Sequence, residues 1–308
     1  MGLVSFATDI DGLVLKSTPR IPMPDNRRPG FLTGRSAFSL TELVVIIAVV
    51  AILATVMTPG VARTRVNTRA IQCLNNHRQL LTAWKMYAGD NSDKVIYNTG
   101  VQETVAEVTN QTYREWANNI MSWDTNPMNT NQLLLASGLF APYLAGSALP
   151  YRCPADNYAS PAQATLGWGG RTRSVSMNGF FGPYTTNLND VTYKGKNEFE
   201  QNYQQWLKIA EVPSPAGYWL FIDEHPDSIN DGYFINNLTG APAWGDIPTS
   251  FHNSGASISY VDGHAEVHKW MSTVTTQPVR YSYFSAAFDS LGRADFQWLV
   301  ARTAVLHK

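Results

Sequence analysis

The chain is short of charge. Asp, Glu, Lys and Arg make up 15% of its 308 residues and the formal net charge is -1, so there is no basic field with which to grip a phosphate backbone. Nucleic acid is therefore not an expected partner. Cysteine is scarce too, at two residues, Cys73 and Cys153, which excludes a disulfide-stapled miniature fold and leaves either one bond or two free thiols. Charge is absent from one stretch in particular. From Leu43 to Met57 the sequence is apolar except for Thr55.

A single carboxylate, Glu42, sits at the head of that run, in Ala37-Phe38-Ser39-Leu40-Thr41-Glu42. At membrane depth an ion of this kind costs roughly 2.5 to 3.5 kcal/mol even on the lenient insertion scale. It needs a cation nearby. If the chain is cut between Ala37 and Phe38, the new α-amino group of Phe38 supplies one, within its own chain or from a neighbour. A secretory signal peptide would place a small-residue cleavage site after the apolar core, whereas here Thr58-Pro59-Gly60 follows. A plain signal anchor would accept the length but would not explain Glu42.

The segment resembles the processing site of type IV pilins and type II secretion pseudopilins. In that family a short basic leader stays in the cytoplasm, and Lys16, Arg20, Arg27, Arg28 and Arg35 all precede the apolar run here, as the positive-inside rule requires. The family's aromatic first residue and fifth-position glutamate fall on Phe38 and Glu42, and its kinking proline on Pro59. The usual glycine before the cut is Ala37 in this chain, which is small enough to fit. The resemblance implies cleavage and N-methylation by a prepilin peptidase, with Ala37, Phe38 and Glu42 as the processing residues.

About 20 residues at roughly 1.5 Å each span a bilayer, so Phe38 to Met57 is just long enough. Beyond it, Val66, Ala70, Leu74, Leu81, Trp84 and Ala88 recur mostly at three- and four-residue steps, with Arg63, Arg65, Arg69, Arg78 and Lys85 on other faces. The pattern predicts one long helix, apolar throughout its first half and amphipathic in its second. Gly89-Asp90-Asn91 reads as its end.

From residue 91 the composition turns to Gly, Pro, Asn, Tyr and Trp. The clearest element is Ala256 to Trp270, where Asp262-Gly263 between alternating runs predicts a two-residue hairpin turn with positive φ at both positions. That register opposes Val261 with His264, Tyr260 with Ala265, Ser259 with Glu266, Ile258 with Val267 and Ser257 with His268. It puts Ile258, Tyr260, Ala265 and Val267 on one face and His264, Glu266 and His268 on the other.

His252 precedes Asp262 by ten residues. The resulting His-(nine residues)-Asp-Gly resembles a branch of pilin-like proteins with a prepilin-type N-terminus and a C-terminal H-X9-DG motif, abundant in planctomycete and verrucomicrobial genomes. Cys73-Leu-Asn-Asn, Arg152-Cys153-Pro154-Ala-Asp156 and Ser176-Met177-Asn178-Gly179 agree with that branch. The branch is named for its motif and not for a reaction, so His252, Asp262 and Gly263 carry no implied chemistry. The calcium loop and small domain of the major pseudopilins have no clear counterpart here.

The histidine-bearing run His264-Ala-Glu266-Val-His268 has strand periodicity, with side chains on one face about 7 Å apart, unlike the helical zinc-peptidase motif. A metal would need further ligands, and Asp223-Glu224-His225-Pro-Asp227 is the dense supply. A solvated strand face and an acidic loop are the default, so no metal, cofactor or enzymatic activity is assigned. His252 is read as a loop anchor, bonding near Asp262 or to a backbone carbonyl. The 9 Trp, 14 Tyr and 13 Phe serve either core packing or a sugar-binding surface. An oxidising extracytoplasmic space would allow a Cys73–Cys153 bond, tying domain to helix and contributing roughly 4 kcal/mol; two free thiols stay open.

These readings predict an α+β chain: a cytoplasmic leader (1–37), a transmembrane and amphipathic helix (38–90), and an extracytoplasmic domain (91–308) with a largely antiparallel sheet against the helix. The resemblance implies a pseudopilin-like subunit of the bacterial inner membrane, single-pass with its N-terminus inside, or of a surface filament. Its partners would be prepilin peptidase, other pilin-like subunits, secretion or pilus assembly proteins, and lipid. The competing reading is an anchored surface binding protein, for carbohydrate, that uses the N-terminus only for export.

Overall fold

The structure is a computed structural model that describes residues 39–308, with the backbone alone described over 54–67. Ala37 and Phe38 lie outside the described residues. The chain divides into two compact units, the first ending at Ala54 and the second running from Thr55 to Lys308.

The helix predicted from periodicity is present as α1, Leu40–Asp90. Its start carries a signal that the sequence reading passed over. Ser39 is the N-cap of a capping box: Glu42 N donates to Ser39 Oγ at 3.2 Å, and Glu42 Oε2 accepts from Ser39 N and Ser39 Oγ, both at 2.9 Å. Glu42 thus has a local role in closing the helix. From Leu43 to Leu53 the side chains of Leu43, Val44, Val45, Ile46, Ile47, Val49, Val50, Ile52 and Leu53 are exposed. Among the described residues no helix is long and apolar enough to cross a membrane; the side chains of 54–57, which complete the expected span, are not among them.

The C-terminus of α1 differs from expectation. Gly89 lies within the helix, and the left-handed residues are Ser92 (φ 61°) and Asp93 (φ 66°). Asp93 N reaches back to Ala88 O at 2.7 Å and Asn91 Nδ2 caps Tyr87 O at 2.7 Å, so side-chain capping does what a glycine was expected to do.

The second unit is built on one five-stranded sheet. Its strands are β1 (Val175–Asn178), β2 (Trp219–Asp223), β3 (Tyr233–Phe234), β4 (Gly255–Tyr260) and β5 (Ala265–Lys269), in the order β3-β1-β2-β4-β5. Every pairing is antiparallel except β1 with β3. The short helices α2 (Val101–Thr109), α3 (Leu133–Ala136) and α4 (Pro161–Thr165) lie in the long connections, and α5 (Ser290–Val300) follows the sheet.

Two apolar clusters sandwich the sheet. On one side Leu80, Leu81 and Trp84 of α1 pack with Val175, Met177 and Phe221. On the other, Phe296 and Leu299 of α5 join Trp219, Ile222, Ile258 and Trp244. Six of the nine tryptophans (84, 116, 206, 219, 244 and 270) are buried, so the aromatic wealth goes mainly to the core.

The β4–β5 hairpin exists, but its register is one residue off the predicted one. Ser259 pairs with Ala265, Ile258 with Glu266, Ser257 with Val267 and Ala256 with His268. Tyr260 N donates to His264 O and Gly263 N to Tyr260 O, both at 2.9 Å, which closes a three-residue loop. Positive φ occurs at Gly263 (+112°) and not at Asp262, the pattern of a three-residue hairpin loop with a bulge glycine. The cause lies outside the hairpin: Val261 is drawn into the core, while Val261 N and Asp262 N donate to Tyr218 O and Pro215 O. A one-residue slip exchanges faces. Ile258 and Tyr260 therefore lie with His264, Glu266 and His268, and Ala265 and Val267 lie with Ser257 and Ser259 on the α1 side.

Candidate functional site

On α1 the buried residues Cys73, His77, Leu80, Leu81, Trp84 and Ala88 form one stripe at helical spacing. Its upper part is apolar and seals the core. Its lower part carries a thiol and an imidazole, and these face the end of β2. There a bulge between Trp219 and Phe221 inserts Leu220, so that Phe221 and Asp223 both point to the α1 side. Asp223 Oδ2 accepts from the Cys73 thiol at 2.9 Å, and Asp223 Oδ1 stands 3.5 Å from His77 Nε2.

Cys153 arrives on a loop held from several directions. Its backbone N–H donates to Ser174 Oγ at 2.7 Å, and Arg152 directs its guanidinium to Asp156 O, which closes the loop on itself. Asn76 Nδ2, one turn from Cys73, donates to Arg152 O at 2.8 Å. The Cys73-Leu-Asn-Asn and Arg152-Cys153-Pro154 segments are thus bonded to each other. Ala155 N–H points at Cys153 Sγ at 3.4 Å, a contact that favours a thiolate.

His252 is delivered by a strained turn before β4. Asn253 (φ 57°) and Ser254 (φ 64°) are successive left-handed residues, and His252 N donates to Gly255 O at 3.0 Å. The ring is driven inward, where Nε2 lies 3.3 Å from Cys153 Sγ and 3.8 Å from Asp223 Oδ2. Cys73 Sγ, Cys153 Sγ, a carboxylate oxygen of Asp223 and a ring nitrogen of His252 lie within 4.8 Å of one another, all on buried residues. Among the described residues this is the sole such group of potential metal ligands.

The electrostatics of the cluster are internally matched. Burial, the Cys153 contact and the Asp223 charge push the Cys73 thiol well up. Burial also pushes Cys153 up, but the Cys73 and His252 contacts outweigh it and bring that thiol below its ordinary value. Asp223 is pushed up by burial, and His77, His252 and the Cys73 hydrogen bond bring it down overall. His252 is pushed down by burial and, more strongly, up by Cys153 and Asp223. These contacts make Cys153 the more acidic of the two thiols and favour the ionised form of Asp223. Two sulfurs, an imidazole and a carboxylate on buried residues can ligate a soft or borderline divalent metal, or an external two-electron oxidant can join the sulfurs with loss of two protons.

The sequence-predicted residues divide between two ends of the hairpin. His252 lies in the cluster, whereas Asp262 and Gly263 lie at the far tip, a strand length of roughly 20 Å away. Asp262 Oδ1 is bonded to His264 N and sits 2.6 Å from His264 Nδ1, and its carbonyl accepts from Lys85 Nζ. The anchor role for His252 therefore stands on Cys153 and Asp223, and the expected bond to the Asp262 region is absent. Cys73 and Cys153 are brought together, each as a free cysteine.

His264, Glu266 and His268 do not form a ligand set with the acidic run. His264 stacks on Tyr260, Glu266 accepts from Tyr260 Oη at 2.7 Å, and His268 stacks on Trp298 at 3.4 Å between centroids. Of the acidic run only Asp223 enters the cluster. Glu224 accepts from Ser176 and Ser228, His225 Nε2 meets Gln277 O, and Asp227 accepts from Trp123 and Arg280.

Two clefts are lined by residues that neighbour the cluster in sequence. One of about 420 Å3 is lined by Gln72, Asn76, Arg152 and Pro154 among others. The second, about 330 Å3, is lined on its side by Arg69, Ala155, His225 and Phe251. Comparison with protein-family models, curated proteins and solved structures returned no match.

The sequence reading missed the joint role of Asp223 and His77. The signal for His77 was its spacing, four residues after Cys73 on the buried stripe. Asp223 stood in the sequence only as one member of the Asp223-Glu224-His225-Pro-Asp227 run, and the bulge that aims it, and not its neighbours, into the cluster depends on the register of β2 against β4.

Proposed function

We propose that this chain is a pseudopilin-like structural subunit, cut between Ala37 and Phe38 by a prepilin peptidase and assembled through its N-terminal helix into a pilus-like or type II secretion-type structure. The observation that carries the reading is α1 itself. One unbroken helix, Leu40–Asp90, has exposed apolar side chains over its first turns and, from Cys73 onward, a buried stripe in the sheet's core. The exposed stretch suits lipid or the helices of neighbouring subunits. A bacterial inner membrane, with the N-terminus in the cytoplasm and the sheet domain outside, is the matching location.

Glu42 tests the assembly reading directly. Glu42→Gln removes the charge that would pair with the Phe38 ammonium of a neighbour, while glutamine at this position still completes the capping box. Insertion should be unchanged or slightly improved, since the cost of burying an ion disappears. Chemical crosslinking in native membranes should then show fewer oligomers, and sheared surface fractions should hold less protein. Oligomers at the unsubstituted level would leave the carboxylate without a pairing role and favour an anchored binding protein.

A further inference from the structure

We propose that Cys73, Cys153, Asp223 and His252 form a structural binding site for one zinc-type divalent metal ion. The site is independent of the assembly reading above. A tetrahedral ion with bonds of roughly 2.0 to 2.3 Å separates its donors by roughly 3.3 to 3.8 Å. Here Cys73 Sγ to Asp223 Oδ2 is 2.9 Å, Cys153 Sγ to His252 Nε2 is 3.3 Å and His252 Nε2 to Asp223 Oδ2 is 3.8 Å, with every pair inside 4.8 Å. Small movements of four side chains suffice to surround one ion.

The donor set selects the metal class. Two sulfurs disfavour calcium and magnesium, which take oxygen, while an imidazole and a carboxylate beside them suit zinc. Four protein ligands leave no open position, so the ion is structural. Binding displaces the thiol protons into solvent as the metal–sulfur bonds form.

The surroundings supply what a ligand shell needs. Ala155 N–H faces Cys153 Sγ, and His77 faces the second oxygen of Asp223 with its Nδ1 3.2 Å from Ser259 Oγ. Asp223 Oδ1, His77 Nε2 and His252 Nδ1 are buried with no hydrogen-bond partner among the described residues. Only one oxygen of this buried carboxylate accepts a hydrogen bond, and a cation at the centre of the cluster lowers the remaining cost of its charge. The ion would join α1, the Cys153 loop, β2 and the turn before β4, four segments far apart in sequence.

The test uses the full chain, purified in mild detergent without chelator and loaded with zinc or cobalt. Elemental analysis should find about one zinc per chain, and the cobalt form should show thiolate-to-metal charge transfer and intense visible bands. Asp223→Asn and His252→Gln should each weaken binding by at least about tenfold, whereas His264→Gln, at the hairpin tip, should leave it unchanged. Should either variant fail to fold, the cobalt spectrum of the unsubstituted chain decides alone. Absence of thiolate-to-cobalt bands in folded protein would overturn the site. So would recovery from cells of a chain two hydrogens lighter with Cys73 and Cys153 in one linked peptide, or unchanged affinity in a folded His252→Gln variant.

Discussion

The Cys73 thiol donates to Asp223 Oδ2 at 2.9 Å across a sequence separation of 150 residues. That bond ties the long N-terminal helix to the central antiparallel part of the sheet, below the apolar seal made by Leu80, Leu81 and Trp84. A force or displacement acting on this part of α1 is therefore felt by β2.

Trp84 should be the costliest single truncation on α1. It is fully buried in the first cluster and meets Phe181 edge-on at 6.2 Å between ring centroids. Trp84→Ala should lower unfolding free energy by roughly 3 to 5 kcal/mol, measured by denaturant unfolding of the purified chain. A loss below about 1 kcal/mol would mean that the helix is not packed as described.

The hairpin tip separates two residues that the sequence treats as a pair. Gly263 has φ +112°, so Gly263→Val should cost about 1 to 2 kcal/mol through backbone strain. Asp262→Ala loses only exposed contacts to His264, and its effect should stay within about 0.5 kcal/mol. Equal losses in the two variants would restore the two-residue turn.

Gly179 closes the Ser176-Met177-Asn178-Gly179 segment for a reason of space. A Cβ there would lie 2.7 Å from Tyr233 Cζ and 3.0 Å from Phe234 O, both in the edge strand β3. Gly179→Ala should destabilise by roughly 1 to 3 kcal/mol, read as a lower melting temperature.

Stability should also fall as pH rises, through Glu115. Burial, opposed by hydrogen bonds from Thr99 and Thr104 and reinforced by the charges of Glu107 and Asp231, pushes its carboxyl from 4.5 up to about 8; Arg173 is the cation in its surroundings. The folded chain therefore holds a proton that the unfolded chain has released. This contribution is complete below about pH 4.5 and is lost progressively up to about pH 8. Between pH 5 and 8 the slope from this one proton is at most about 1.4 kcal/mol per pH unit. Glu115→Gln should flatten the stability profile over that window; an identical profile would show that Glu115 is ionised in the folded chain.

How much of this was legible in the sequence depended on range. The period of α1 and the existence of the β4–β5 hairpin are local properties, and both were readable. The hairpin's register was not, since it is set by Val261 entering the core that α1 shares with the sheet and its connections and by backbone bonds to the 215–218 segment. The same holds for the cluster. Cys73, Cys153 and His252 each stood out, but their meeting with Asp223 needs a bulge at Leu220 and two left-handed residues after His252, neither of which has a sequence signature. Ser39-Leu-Thr-Glu42 is the opposite case, a local capping box overlooked because the carboxylate was weighed only as a charge.

The proposed cut between Ala37 and Phe38 can be read from mass spectrometry of the N-terminus of protein from native membranes. A processed subunit should yield a mature chain that begins at Phe38 with a methylated amino group. Recovery of intact Met1, or of an N-terminus beyond Met57, would contradict it.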